Sequence, residues 1–334
     1  MKTTQAGNLH KVLQYIFLSC VILLGFISII GTGGGGGDGG SAQSQITYTG
    51  INTQAEITDT NAEVIAAGAF EGGRTGSAFS GTGAVATGLD ENTMSFRALK
   101  VTQALKGAIQ QIDLSFVSGE PIIGVTQSES GSVSGPCGGT ASYSIQYDDA
   151  TGVFSGTFTF NSYCDTGVVI SGSATVSGSV DIVLSTFESI SFDFTNLSDG
   201  SSTLSGYIDI DFTGGSNIRV DLDILLKDNT TSKVYWVSNY IMYITIGSNY
   251  ADVNISFGFY YDPDYGYVAV ETPTPFRVFD TDIWPSSGVM IATGTGNTKD
   301  RLTSISNTQC QIDADLDGDD IYEWGPDTKN WEDL

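Results

Sequence analysis

Between residues 170 and 182 apolar or small residues alternate with polar ones. Ile170, Gly172, Ala174, Val176, Gly178, Val180 and Ile182 interleave with Ser171, Ser173, Thr175, Ser177, Ser179 and Asp181. A period of two puts one set on each face of a pleated strand. The pattern returns with Ile190, Phe192 and Phe194; with Leu204, Ile208, Ile210 and Phe212; and with Ile218, Val220, Leu222 and Ile224. It returns again with Val253, Ile255, Phe257 and Phe259. The runs SDGSS, GGSN, KDNTTS, GSNY, DPDYG and GTGNTKD punctuate these segments with turn formers. Half-buried strands with short links make an antiparallel meander, not a parallel α/β sheet. The predicted fold class is mainly β (α+β). It is a long antiparallel β-meander of ten or more strands, curled or half-barrel-like, with an apolar face to be covered. A transmembrane barrel shares the alternation, but Trp331-Glu332-Asp333-Leu334 does not supply the terminal aromatic of such barrels.

Two segments change period to that of a helix. Thr58 to Asn61 offers N-caps, and Ala62, Ile65, Ala66 and Ala69 make one apolar side, so a short helix is predicted there. The glycine-, serine- and threonine-rich stretch GGRTGSAFSGTGAVATG follows. Over 93–112, Met94, Ala98, Val101, Leu105, Ala108 and Ile112 recur at spacings of four and three, a stripe suited to covering the sheet. At the start of the chain, Lys2, His10 and Lys11 precede an uncharged apolar run from Val12 to Ile30, and a glycine tract follows. This is the order of an export signal, and the run is also long enough for an anchor. With the positive charges before the run, the remainder is expected outside the cytoplasm. The organisation reads as a signal or anchor segment over 1–30 and a glycine-rich tether over 31–46. A helical N-terminal part over 47–115 and an antiparallel β-domain over 116–334 follow.

Composition narrows the chemistry. The 334 residues carry a formal net charge of −25, which disfavours nucleic acid and anionic headgroups. Contact with a membrane is expected only through the N-terminal segment. The sole histidine, His10, lies in the leader, so the body lacks Ser-His-Asp and Cys-His pairs and His-ligated metal sites. No catalytic residue is assigned. Cys20 has two readings, a lipidation site after Phe17-Leu18-Ser19 or a small apolar residue within the run. In the body, Cys137 and Cys164 bracket a predicted hairpin of strands 141–147 and 152–160. If Tyr147 faces Gly152, Cys137 falls opposite position 162, two residues short of Cys164, and one bulge or a five-residue loop closes that gap. A disulfide is therefore predicted, in keeping with an oxidising compartment. Cys310 is left over.

The acidic segment QIDADLDGDDIYEW carries Asp313, Asp315, Asp317 and Asp319 in alternation, with Gly318 at the sixth position from Asp313 and Glu323 beyond. Several oxygens in a tight loop with a glycine bend suit a hard cation, so D-x-D-x-D-G resembles a calcium loop. Trp324 stands at the twelfth position in place of glutamate, so the predicted Ca²⁺ site is weak and structural. A solvated acidic turn is the alternative. Tyr260-Tyr261-Asp262-Pro263-Asp264-Tyr265-Gly266-Tyr267 sets carboxylates among aromatics, as a sugar platform would, or simply builds a turn with rim tyrosines.

The apolar leader with its polyglycine tract, the TYTGINTQAEITDTNAEVIAAGAF opening and the GPCGGTASYSIQYDDATGVFSGTFTFNSYCDTGVVISGSATVSG block form a recognisable set. With FYYDPDYGYVAVETPTP and the DADLDGDDIYEW end, they resemble a group of uncharacterised, exported, lipoprotein-like Gram-negative bacterial proteins. That resemblance implies export to the periplasm, the outer membrane or the cell surface, and carries over no catalytic residue. In this chain Gly31-Thr32 stands where such leaders carry the lipoprotein cysteine. The expectation is a non-enzymatic envelope or surface module that meets a surface glycan or an envelope protein. A carbohydrate-binding or carbohydrate-cleaving protein is the alternative.

Overall fold

The structure is a computed structural model, and it describes residues 46–79, 126–165, 167–181 and 186–334. The leader, most of the tether, Cys20 and the stripe over 93–112 lie outside the described residues. Among the described residues one α-helix, α1 (Ala62–Phe79), precedes fourteen strands. The first seven are β1 (Thr126–Ser134), β2 (Thr140–Asp148), β3 (Val153–Asp165), β4 (Val168–Asp181), β5 (Thr186–Ser198), β6 (Ser202–Asp211) and β7 (Asn217–Asp228). Then come β8 (Val234–Ile246), β9 (Tyr250–Asp262), β10 (Gly266–Phe279) and β11 (Ser287–Thr293). The last are β12 (Lys299–Ser306), β13 (Gln309–Asp315) and β14 (Trp324–Asn330). They form one sheet in sequence order, each strand antiparallel to the next, with β1 and β14 as its two edges. Among the described residues the sheet does not close into a barrel. The mainly β meander read from the alternation is what the chain adopts.

The alternation fills one face with core. Phe158, Phe194, Leu204, Ile208, Val220, Leu222, Met242, Leu302 and Ile312 are at most 2% exposed. The period is not unbroken, because single extra residues shift its phase. Phe160 pairs with Gly172 but Tyr163 with Ile170, and Phe194 pairs with Gly206 but Leu197 with Leu204. A bulge of one residue re-aims everything beyond it and adds twist. Ser162, Asn196 and Asn239 sit at φ of 49°, 52° and 52° beside these breaks, a region that short polar side chains enter most readily. One such break overturns an expected core assignment. Between β8 and β9, Met242 faces Ile255 while Ile241 faces Phe257, so the inward face of β9 passes from Ile255 to Gly258 and Tyr260. Phe257 is 44% exposed, and it meets Phe259 edge-on on the outer face at 4.9 Å between ring centroids.

The short helix predicted from Ala62 continues to Phe79, through Gly72, Gly73 and Gly76 of the glycine-, serine- and threonine-rich stretch. Tertiary packing explains it. Gly68, Gly72 and Gly76 recur every fourth residue and face the sheet. A Cβ at Gly72 would lie 2.8 Å from Val237, and one at Gly76 would lie 2.7 Å from the Met242 sulfur. At Gly68 the Tyr260 hydroxyl occupies the space a methyl would need. The glycines cost helix propensity, roughly 1 kcal/mol each, but let the backbone approach the sheet. Ile65, Ala66, Ala69 and Phe70 are buried on the same helix. Phe70 stacks on Trp331, and Trp331 on Trp284, at 4.8 and 5.5 Å. Arg74 lies over the Trp284 ring at 3.9 Å.

The hairpin that carries the first disulfide cysteine also differs in register from the expectation. Tyr147 pairs with Phe154, not Gly152, and Thr140 with Asn161. The longer turn moves β3 by two positions, so the extrapolated partner of Cys137 becomes Cys164 without a bulge in this hairpin. Cys137 and Cys164 are joined as a disulfide with their Cα atoms 5.1 Å apart. Cys310 is a free, fully buried thiol on the core face of β13, and burial pushes its pKa up to about 12.

Candidate metal centre

The link from β13 to β14, residues 316–323, is the acidic segment. Ser306-Asn307-Thr308 turns the chain from β12 into β13, which delivers Asp313 and Asp315 at its end. The two aspartates have different fates. Asp313 faces Arg301 across the β12–β13 pair, where Arg301 Nε donates to Oδ1 at 2.8 Å and Nη2 donates to Oδ2. The guanidinium also lies 3.8 Å from the centre of the Tyr322 ring. Asp313 is therefore engaged as an ion pair and is not part of the acidic cluster, against the expectation that it opens the loop. A forked guanidinium bound through two nitrogens holds a carboxylate more firmly than a free loop geometry would.

Asp315, Asp317, Asp319 and Glu323 do converge. One carboxylate oxygen from each lies within 4.8 Å of those of the others. Local hydrogen bonds build the loop. Asp315 is fully buried, accepting the Gly318 amide on Oδ1 at 2.7 Å and the Asp320 amide on Oδ2 at 2.8 Å. Glu323 Oε2 accepts the Leu316 amide at 2.9 Å, and Asp319 Oδ1 accepts the Ile321 amide at 2.8 Å. Gly318 bends the chain at φ 84°, and its carbonyl accepts Asn297 Nδ2 at 3.2 Å, which ties the loop to the β11–β12 turn. Asp320 turns away to pair with Lys299. Burial by itself would raise the Asp315 carboxyl, but the Gly318 and Asp320 amides outweigh it and hold the group below its ordinary value. Asp317 moves the other way, pushed up chiefly by the charge of Asp319 and then by partial desolvation and Glu323. The loop thus concentrates negative charge that its own amides offset only in part. Two oxygens on one calcium ion lie at most about 5 Å apart, twice a Ca–O distance of about 2.3–2.6 Å. The four carboxylates satisfy that limit. The cluster can hold a metal ion, with three of its members on the spacing Asp315-x-Asp317-x-Asp319.

The other predicted chemistry resolves into packing. Tyr260 is buried under α1, and Asp262, 2% exposed, accepts the Asp264 amide at 2.8 Å to close the β9–β10 turn. Tyr261 stacks on Trp236 at 4.5 Å, and Tyr48 packs on both rings. Tyr48 also donates to the Asp262 carbonyl at 2.9 Å. These aromatics hold the incoming 46–57 segment against the hairpin.

The buried carboxyls that escaped sequence reasoning include Glu71 and Asp300. Glu71 on α1 takes Arg74 Nη1 on Oε1 at 2.6 Å, while its Oε2 is buried with no partner. Asp300 on β12 is 1% exposed, and neither of its oxygens has a hydrogen-bond partner. The four-residue glycine spacing at 68, 72 and 76 was the available signal that Glu71 lies on a packed helix. No family model matches the chain, and no curated protein or solved structure matches it with significance.

Proposed function

We propose that the chain is an exported, non-enzymatic β-sheet module of the cell envelope or surface, whose C-terminal edge is fastened by one structural calcium ion. The observation that carries this reading is the convergence of Asp315, Asp317, Asp319 and Glu323 within 4.8 Å. Four hard oxygen donors with no nitrogen or sulfur among them suit calcium, and an external compartment supplies it at the millimolar level that weak extracellular sites need. The disulfide between Cys137 and Cys164 supports an oxidising location. It secures the β1–β3 edge of the open sheet, and the acidic loop secures the β13–β14 edge. The Asp252–Arg277 and Asp313–Arg301 ion pairs and the turn-closing Asp262 spend those carboxylates on structure, which favours a scaffold over a hydrolase.

The test is thermal unfolding of the full chain in calcium and in chelator, alongside a chain with Asp317→Asn and Asp319→Asn. Calcium should raise the wild-type melting temperature, as any ligand selective for the folded state does. It should leave the substituted chain unchanged. Equal shifts in both chains, or none in either, would reduce the cluster to a solvated turn.

A further inference from the structure

The chain builds one recognition unit three times from its own residues. Arg74 lies 3.9 Å over the Trp284 ring and pairs with Glu71. Arg277 lies 4.0 Å over the Tyr250 ring and pairs with Asp252. Arg301 lies 3.8 Å over the Tyr322 ring and pairs with Asp313. A guanidinium suits both partners at once, because its flat face stacks on a ring while its edge forks a carboxylate.

The face of the sheet turned away from α1 presents the ring and the carboxylates of such a unit. Tyr207 on β6 lies between Asp193 on β5 and Asp223 on β7, each its direct cross-strand partner. Asp209 stands two residues along β6 and so shares that face. The residues that alternate with these, Phe194, Ile208 and Ile224, are buried, whereas Tyr207, Asp193 and Asp209 are exposed. Asp223 is already held, accepting Trp236 Nε1 at 2.7 Å and the Ser238 hydroxyl at 3.0 Å, and Asp221 pairs with Arg219. Among the described residues no lysine or arginine pairs with Asp193 or Asp209. The negative field reaches the ring: burial first, and then the charges of Asp223, Asp209 and Asp221, push the Tyr207 pKa up. Through Asp223 the site adjoins an aromatic strip. Trp236 stacks on Tyr261, and the rings continue through Tyr267 and Phe259 to the exposed Phe257.

We propose that this outer face binds an arginine-rich peptide segment, with one guanidinium stacked on Tyr207 between Asp193 and Asp209 and the segment running toward the Trp236 strip. Charge complementarity selects the occupant. The formal net charge of −25 draws a cation in and repels an anion. A lysine ammonium matches the charge but neither stacks flat on the ring nor forks a carboxylate. A neutral sugar covers the rings and leaves both carboxylate charges unmatched. The site shares no residue with the acidic loop, so it stands or falls apart from the calcium reading.

Calorimetric titration of the full chain at low ionic strength with hexa-arginine, hexalysine and cellohexaose tests the assignment. Hexa-arginine should bind saturably with a dissociation constant on the order of 10⁻⁴ M, as a few exposed cation–π and ionic contacts give. Hexalysine carries the same charge and should bind about fivefold more weakly, the worth of one exposed cation–π contact; cellohexaose should bind more weakly still. Tyr207→Ala should weaken hexa-arginine by about the same factor and erase its lead over hexalysine. Asp193→Asn with Asp209→Asn should weaken it about tenfold. Asp317→Asn with Asp319→Asn removes the same two charges at the acidic loop and should leave hexa-arginine within about twofold. If Tyr207→Ala does not fold, the ligand ranking and the two aspartate pairs decide alone. No saturable binding of hexa-arginine, equal or tighter binding of hexalysine or cellohexaose, or a loss at the acidic loop as large as that at Asp193 and Asp209 would overturn the proposal.

Discussion

Replacing Asp300 by Asn should stabilise the protein at neutral pH and leave it little changed in acid. Asp300 lies on the core face of β12 between two alanines, pairing with Ala292 on β11 and Ala314 on β13. The small neighbours leave room for a carboxyl but offer it no donor. Burial raises its pKa well above the ordinary value, the Asp313 charge adds to the rise, and the Ala66 peptide on α1 offsets only part. The sign follows from proton binding. An unfolded aspartate titrates near about 3.9. Above that pH, and up to the raised folded-state pKa, the folded chain holds a proton that the unfolded chain has lost. Stability contributed by the protonated group is full below about pH 4 and falls by roughly 1.4 kcal/mol per pH unit across that window. Asn cannot titrate, so the substituted chain loses this slope. Groups that do not interact with Asp300 titrate equally in both chains and cancel in the difference. Urea unfolding between pH 4 and pH 8 should show stabilities within about 1 kcal/mol at pH 4, and a lead for Asp300→Asn that grows by roughly 1.4 kcal/mol per pH unit until the raised folded-state pKa is passed. A difference independent of pH, or a substituted chain less stable than the wild type at pH 7, would refute the reasoning.

Two further substitutions probe the packing. Cys137→Ser opens a loop of 27 residues' separation and should cost about 3–4 kcal/mol by the chain-entropy relation, read as a lower urea midpoint; no loss under non-reducing conditions would show that the bond contributes nothing. Gly68→Ala gains helix propensity but drives a methyl into the buried Tyr260 hydroxyl, so it should destabilise by about 1–2 kcal/mol. The same change at an exposed helical glycine would stabilise, and that result at Gly68 would show that α1 does not approach the sheet this closely.

The strands were legible because each is half buried: Ile170 to Val180 and Ile218 to Ile224 alternate without ambiguity, and their apolar members are the core. Phase was not legible where a bulge intervenes. Nothing in NISFGFYY says that Phe257 faces out and Gly258 in. The space for Gly258 is set by the Tyr240 ring from the neighbouring strand. The length of α1 was hidden for a related reason, since glycines disfavour an isolated helix and only the sheet beneath rewards them. In the acidic segment the loop and its glycine bend were legible, but membership was not. Asp313 and Asp319 are equivalent letters in D-x-D-x-D-G-D, and the choice between them rests on Arg301, twelve residues earlier and opposite on β12. The cysteine pairing was legible through the hairpin even though its assumed turn was two residues too tight.

The most direct measurement of the central claim is a crystal structure of the full chain grown with calcium, with anomalous differences recorded at a wavelength where calcium scatters. The account predicts one anomalous peak enclosed by Asp315, Asp317, Asp319 and Glu323, at about 2.3–2.6 Å from their oxygens, with Asp313 still on Arg301. Calcium-saturated crystals with no peak there, or with Asp313 turned from Arg301 to meet the ion, would contradict it.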